Sequence, residues 1–230
     1  MVTLAESARI EQVRVKLAAY DETAEVWPVL DLENIGRTLG PFLSSLTGAV
    51  SARRGDSARL ARDYLLASKD EAGIPGRLLL PDDPPPLDAD RLTGNVVVAL
   101  GRVAKLNREA PGSTATRNAG EKALVRVQGV AARMAVEAGR DTVIDVVENA
   151  EQRLDAEARR ALERINNPAG GRRARRRSRN TGPKWYRTVS GNACKFCALL
   201  AGRGAVYRED SVTFNAHDHC ACGAAIAWTE

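Results

Sequence analysis

All four cysteines and both histidines of this 230-residue chain lie between Cys194 and Cys222. They read Cys194-x-x-Cys197 and then, nineteen residues on, His217-x-x-Cys220-x-Cys222. A Cys-x-x-Cys turn aims two sulfurs at one point. A second pair from a distant part of the segment can then close a tetrahedron. Two such pairs about twenty residues apart have the spacing of a structural zinc site. The chain must therefore double back after Cys197, and Gly202-Arg203-Gly204 supplies the turn. Four ligands are needed and five candidates exist: Cys194, Cys197, His217, Cys220 and Cys222. His217 and Cys220 form the better-spaced second pair, with Cys222 the alternative to either. His219 points away if both its neighbours ligate. A closed site of this kind holds four protein ligands and leaves no position for water, so its work is to fold a module and present a surface.

Rival readings of the cysteines explain less. No N-terminal segment resembles a signal peptide, and no apolar run reaches the ~18 residues of a membrane span. The expectation is a soluble protein made in a reducing cytoplasm, where disulfides are rare. A redox Cys-x-x-Cys needs a strand–turn–helix setting and a first thiol of low pKa, and it leaves His217-x-x-Cys220-x-Cys222 unexplained. A catalytic zinc is not indicated, because the chain has no His-Glu-x-x-His and is rich in thiols.

The rest of the chain reads as helix. Aromatic residues make up only 4% of it, so alanine and aliphatic side chains must fill the core. An Ala-, Arg- and Glu-rich composition favours helix over sheet. Thr3 and Glu6 have capping-box spacing, and Ile10, Val13, Leu17 and Tyr20 recur on one helical face. Pro28, Gly36, Gly40 and Pro41 are expected to divide the next stretch into short pieces, with Asp56 capping a helix that runs to Ser68. Gly73, Pro75 and Gly76 stop that helix. Pro81-Asp82-Asp83-Pro84-Pro85-Pro86 is a loop or hinge. Residues around Val96–Val98 favour helix, and Ala110 to Gly120 reads as loop. Leu124, Val127, Ala131, Met134 and Ala138 mark a further helix ended by Gly139. Asp141 then caps another, carrying Val143, Val147, Ala150, Leu154, Ala158, Ala161 and Ile165. That narrow stripe fits packing along one partner, within the bundle or in an oligomer.

The net charge of +5 is a local property. Residues 166–187 hold eight of the 34 Lys and Arg residues and no acid; the other 26 face 29 acidic residues, a balance of −3. Arg172, Arg173, Arg175, Arg176, Arg177 and Arg179 repel one another and bury nothing, which predicts a basic disordered linker. Beyond it the aromatic residues return, from Trp185 to Trp228. The fold expected is mainly α. A helical domain spans 1–165, a basic linker 166–183, and a small α+β zinc-binding module 184–230. A module of that size gains from a metal staple because it buries little surface alone.

The C-terminal motifs resemble a known family. Trp185-Tyr186-Arg187, Cys194-Lys195-Phe196-Cys197-Ala198-Leu199-Leu200, Arg203-Gly204-Ala205-Val206-Tyr207, Phe214 and His217-Asp218-His219-Cys220-Ala221-Cys222 look like the C-terminal module of MuF-like minor head proteins of tailed bacteriophages. The nearest likeness is to those of actinobacterial phages. Ala138-Gly139-Arg140-Asp141-Thr142-Val143 is also similar to a stretch upstream in those proteins. Two departures stand out: the Arg-rich insert before Trp185, and Ala221 where the family has a basic residue. The resemblance implies a minor capsid protein of the virion. It would be made in the host cytoplasm and placed in the capsid interior beside the portal or major capsid protein, with a structural Zn2+ and no membrane partner.

Two other readings follow from the residues. The arginine run, with Lys184 and Arg187 beyond it and Trp185 and Tyr186 available for stacking, would bind phage DNA without sequence preference and with strong salt dependence. That footprint alone would also suit a nucleic-acid-binding zinc protein of another kind. A capsid maturation protease would need a histidine base held by a third group. The only candidates are His217 and His219, with Ser190 or Ser211 as nucleophile. Asp218, next to His219 in an extended segment, points to the opposite side. The expectation is a protein that is not an enzyme.

Overall fold

The structure, a computed structural model, describes residues 2–81, 83–166, 182–189, 193–205 and 222–229. It is mainly helical with one small strand pair. Helices α1 (Leu4–Val26), α2 (Ile35–Glu71), α3 (Ala89–Glu109) and α4 (Thr114–Glu148) form the body. Two short helices, α5 (Ala150–Arg153) and α6 (Ala156–Asn166), follow, and then β1 (Lys184–Thr188), α7 (Lys195–Ala201) and β2 (Gly223–Ala227). Among the described residues no helix is long and apolar enough to cross a membrane.

The long helices differ from the expected pieces in instructive ways. Thr3 caps α1 as the capping-box spacing requires, its hydroxyl accepting from the Glu6 N–H at 3.2 Å. The buried face of α1 is Val15, Ala19 and Thr23, however, and Leu17 stays 58% exposed. Small residues, not the larger apolar ones, let α1 lie close on α4, where Ala19 meets Ala132 and Ala135. α2 runs unbroken through Pro41 and four glycines. The proline removes one backbone bond. Phe42, Leu46 and Val50, all buried immediately after it, hold the helix together through packing. α4 likewise continues through Gly139. α4 begins at Thr114 inside the expected loop, with Ser113 as cap. The stripe from Val143 to Ile165 is broken at Asn149 and again at Asp155.

α2 and α4 run parallel, and their contacts rise together along both helices. Phe42, Leu46 and Val50 pack with Ala123, Val127 and Met134, and Leu92, Val96 and Val103 of α3 complete that cluster. Farther along, Tyr64 and Leu65 pack with Val143 and Val146. α1 runs the opposite way, with Gln12 bonded to Ser57 and the Tyr20 carbonyl to Gln128. Buried Arg54 closes the proline loop onto this frame by donating to the carbonyls of Met134, Pro85 and Pro86 at 2.8, 2.8 and 3.0 Å.

The C-terminal strands share the second cluster. Trp185, Ala225, Ile226 and Trp228 pack on Tyr64, Leu65, Val143 and Leu162. The Tyr64 hydroxyl accepts from the Ile226 N–H at 3.1 Å, and the Trp228 indole donates to Ser68 at 3.0 Å. α6 is fixed by Asp155, whose carboxylate accepts from the N–H groups of Ala158 and Arg77. Gly76 has φ +81, and a Cβ there would stand 2.4 Å from the Asp155 carboxylate. Gly73, with φ +65, ends α2, and Gly76 three residues on is what lets α6 approach.

Candidate metal centre

β1 alternates in burial, so Trp185 and Arg187 point inward together. β2 pairs with it antiparallel, setting Trp185 opposite Ile226, Arg187 opposite Ala224 and Thr188 opposite Gly223. This register puts Cys222 at the Thr188 end of the hairpin. A Cβ on Gly223 would come within 3.1 Å of the Thr188 hydroxyl, so the tight pairing there favours glycine. Cys194 caps α7, its sulfur accepting from the Cys197 N–H at 3.4 Å. α7 ends at Gly202, and Gly204 takes φ +70, which makes the expected turn.

The hairpin and α7 bring two buried sulfurs together. Cys197 Sγ and Cys222 Sγ lie 3.9 Å apart. Two thiolates each about 2.3 Å from one tetrahedral ion stand about 3.8 Å apart, so the pair has the right separation for two of four zinc ligands. The Cys194 N–H···S geometry is that of a Cys-x-x-Cys turn. Among the described residues, Cys222, the alternative to His217 or Cys220 on spacing, has its sulfur beside that of Cys197. His217, His219, Cys220, Ser190, Ser211 and Arg172, Arg173, Arg175, Arg176, Arg177 and Arg179 lie outside the described residues. Among the described residues no group of three or more His, Cys, Asp or Glu side chains is placed to hold a metal ion.

Arginine reaches the sulfurs. Arg187, 2% exposed, places Nη1 3.3 Å from Cys222 Sγ and 3.8 Å from Cys197 Sγ. Arg140, 6% exposed, extends from α4 and lines one small cavity with Thr188, Cys222 and Gly223. Burial lowers the Arg140 pKa, opposed by Glu137, Asp141 and Cys222. Burial in turn raises the Asp141 carboxyl, opposed by Arg140. Gly139, one residue before, is the crossing point of α4 with α1 and α2, and its N–H donates to Ser57 Oγ at 3.0 Å. Gly139, Arg140 and Val143 thus line the same cavity as Cys222. Sequence reasoning put a helix end at Gly139 and a cap at Asp141 here, where α4 is continuous; the burial of this stretch and its glycine contact come from helix crossings that no local pattern encodes.

The VG15 protein family matches residues 2–230. The chain belongs to that family. VG15 is a phage-type virion-gene family, and membership makes this a virion-associated phage protein. No curated protein and no solved structure matches the chain. The VG15 match takes in the helical body as well as the cysteine segment, whereas the motifs of the resemblance lie mostly in the cysteine segment. A strand does precede α7 in this VG15 chain, the setting a redox Cys-x-x-Cys would need. Besides the Cys-x-x-Cys turn, the Cys197 sulfur has the Cys222 sulfur 3.9 Å away, from the residue that precedes β2.

Proposed function

We propose that this VG15 chain is a minor capsid protein of the MuF-like kind. It would act without enzymatic activity in head morphogenesis, beside the portal inside the procapsid. Its C-terminal segment would be stapled by one structural zinc held by Cys194, Cys197, Cys222 and either His217 or Cys220. The virion-gene family spanning the whole chain is the observation that carries the virion role. The 3.9 Å sulfur pair supports the zinc. A structural ion contributes binding free energy directly to folding, which suits a two-stranded hairpin, marginal in isolation.

The test is co-purification from infected cells. The chain should be recovered in procapsids with the portal, and the association should survive salt and neutralisation of Arg172–Arg179. Absence from procapsids would refute the assembly role. Zinc per chain, measured by elemental mass spectrometry with thiols counted alongside, should come out near one, with few reactive thiols. No zinc with all thiols free, or with disulfides, removes the metal. DNA contact by the arginine run is a separate proposal carried by sequence alone. It requires affinity that falls on the order of tenfold or more between 50 and 200 mM salt.

A further inference from the structure

We propose that the outward face of α3 pairs with the same face of a second copy of this chain, antiparallel, about a two-fold axis that passes between Val97 and Val98. The inference stands on α3 alone and is independent of the zinc reading. The inner face of α3 is Leu92, Val96, Ala99, Leu100 and Val103, all buried in the cluster shared with α2 and α4. Half a turn away, at helical spacing, stand Asp90, Gly94, Val97, Val98, Gly101 and Lys105. Val98 is 75% exposed and Val97 48%. A Cβ built on Gly94 or Gly101 meets no atom within 4 Å. Single exposed valines are ordinary, but nothing inside the chain explains the glycines. Glycine is a poor helix former, and neither residue takes a positive φ or lets another element approach. A helix from outside the chain gives them a use, because the distance between two packed helices is set by the side chains at their contact.

The order of residues along this face identifies the partner. Read outward from the point between Val97 and Val98, it runs valine, glycine and then a charge in both directions. Gly94 and Gly101 lie equally far from that point, and so do Asp90 and Lys105. A two-fold contact sets residue i against j and j against i. An antiparallel copy therefore brings Gly94 level with Gly101, Val97 level with Val98, and each Asp90 carboxylate level with the Lys105 ammonium of the other copy. A parallel copy would set Asp90 against Asp90 and Lys105 against Lys105, so the charges choose the direction. Lys105 also reaches Glu109 of its own helix at 3.9 Å, a largely exposed pair weak enough to yield. Asp90 suits the first turn of a helix by itself, and charge reversal separates that role from pairing. One helix face buries less than the roughly 1,200–2,000 Å² of a standard interface, so the dimer is weak and reversible.

The experiment is sedimentation velocity on the full-length chain over a wide concentration range at low salt, with far-UV circular dichroism as the folding check. Wild type should pass from monomer to dimer. Gly94→Gln combined with Gly101→Gln should weaken the dimer at least about tenfold, because both side chains enter the closest approach. Its helical signal should be kept, since both glycines face open space within the chain. Asp90→Lys and Lys105→Asp should each weaken the dimer about threefold to tenfold, and the two together should restore it. In dilute solution, where the chain is a monomer, Gly101→Ala keeps only its gain in helix propensity. Wild type that stays monomeric at every concentration overturns the pairing and leaves the face to a different protein. A dimer untouched by the double glycine variant forms through another surface and overturns the assignment. Single charge reversals without effect, or a double reversal that stays weak, overturn the antiparallel register. Should the double glycine variant lose its helical signal, the charge variants decide alone.

Discussion

Replacing Gly139 by alanine isolates what the crossing of α4 with α1 and α2 requires. In an exposed helix interior, glycine to alanine is worth about 0.5–1 kcal/mol of added stability, because alanine loses less backbone entropy. Gly139 sits inside α4, so that gain applies there too. A Cβ at this position would stand 2.5 Å from Gln12 Nε2, 2.6 Å from Ser57 Oγ and 2.7 Å from the Ser57 carbonyl oxygen. The two side-chain atoms can turn aside. The carbonyl belongs to the backbone of α2, so α2 and α4 must separate. Overpacking of this sort costs about 1–3 kcal/mol. The separation also strains a small buried network: Gly139 N–H to Ser57 Oγ at 3.0 Å, Ser57 Oγ to Gln12 Oε1 at 2.6 Å and Gln12 Nε2 to the Ser57 carbonyl at 2.8 Å. Each such bond is worth about 1 kcal/mol. After the propensity gain, a net loss of about 2–3 kcal/mol remains, equivalent to roughly 4–12 °C in Tm for a chain of this size. Gly101→Ala is the control: it lies mid-helix in α3 with no atom within 4 Å of a built Cβ, and it should stabilise. Thermal and urea unfolding followed by far-UV circular dichroism should give opposite signs for the two variants. A Gly139→Ala chain as stable as Gly101→Ala would refute the crossing argument.

Three further outcomes follow from the packing. Burial pushes the Tyr64 phenol up to about 12 from its ordinary value of 10.0. The folded chain therefore keeps a proton that the unfolded chain sheds, so this contribution is complete below pH 10 and declines by about 2–3 kcal/mol as pH rises to 12; urea unfolding across that range should show a drop that Tyr64→Phe lacks. Ser68→Ala takes away the acceptor of the buried Trp228 indole and should cost about 1–3 kcal/mol, seen as a lower unfolding midpoint with a changed tryptophan emission; an unchanged midpoint means the hairpin is not anchored there. Arg54→Met withdraws the donor from the carbonyls of Met134, Pro85 and Pro86 and should destabilise by about 3 kcal/mol, with limited proteolysis moving into residues 83–88 as the direct check.

The sequence by itself determined the features that depend on local chemistry. The Thr3 cap, the stop at Gly73–Gly76, the proline loop and the turn at Gly202–Gly204 are each set by one residue's backbone preference or hydrogen bond. They are where that reading placed them. The spacing that nominates Cys194, Cys197, His217, Cys220 and Cys222 as ligands is likewise local, a matter of sequence alone. Helix length is not. Pro41 and Gly139 favour breaks locally, yet α2 and α4 run through them, because burial of Phe42, Leu46 and Val50, and the contact of Gly139 with Ser57, outweigh about 1–3 kcal/mol of propensity. The face of α1 was misjudged for the same reason: a close crossing at Ala19 rewards small side chains over Ile10 and Leu17. Only the tertiary structure could set Cys222 3.9 Å from Cys197, seat the hairpin's tryptophans on α2 and α4, bring Arg187 to both sulfurs and place Arg140 in the cavity that Cys222 lines. Those contacts join residues far apart in the chain, and their energy exists only once the helices have fixed the distance between them.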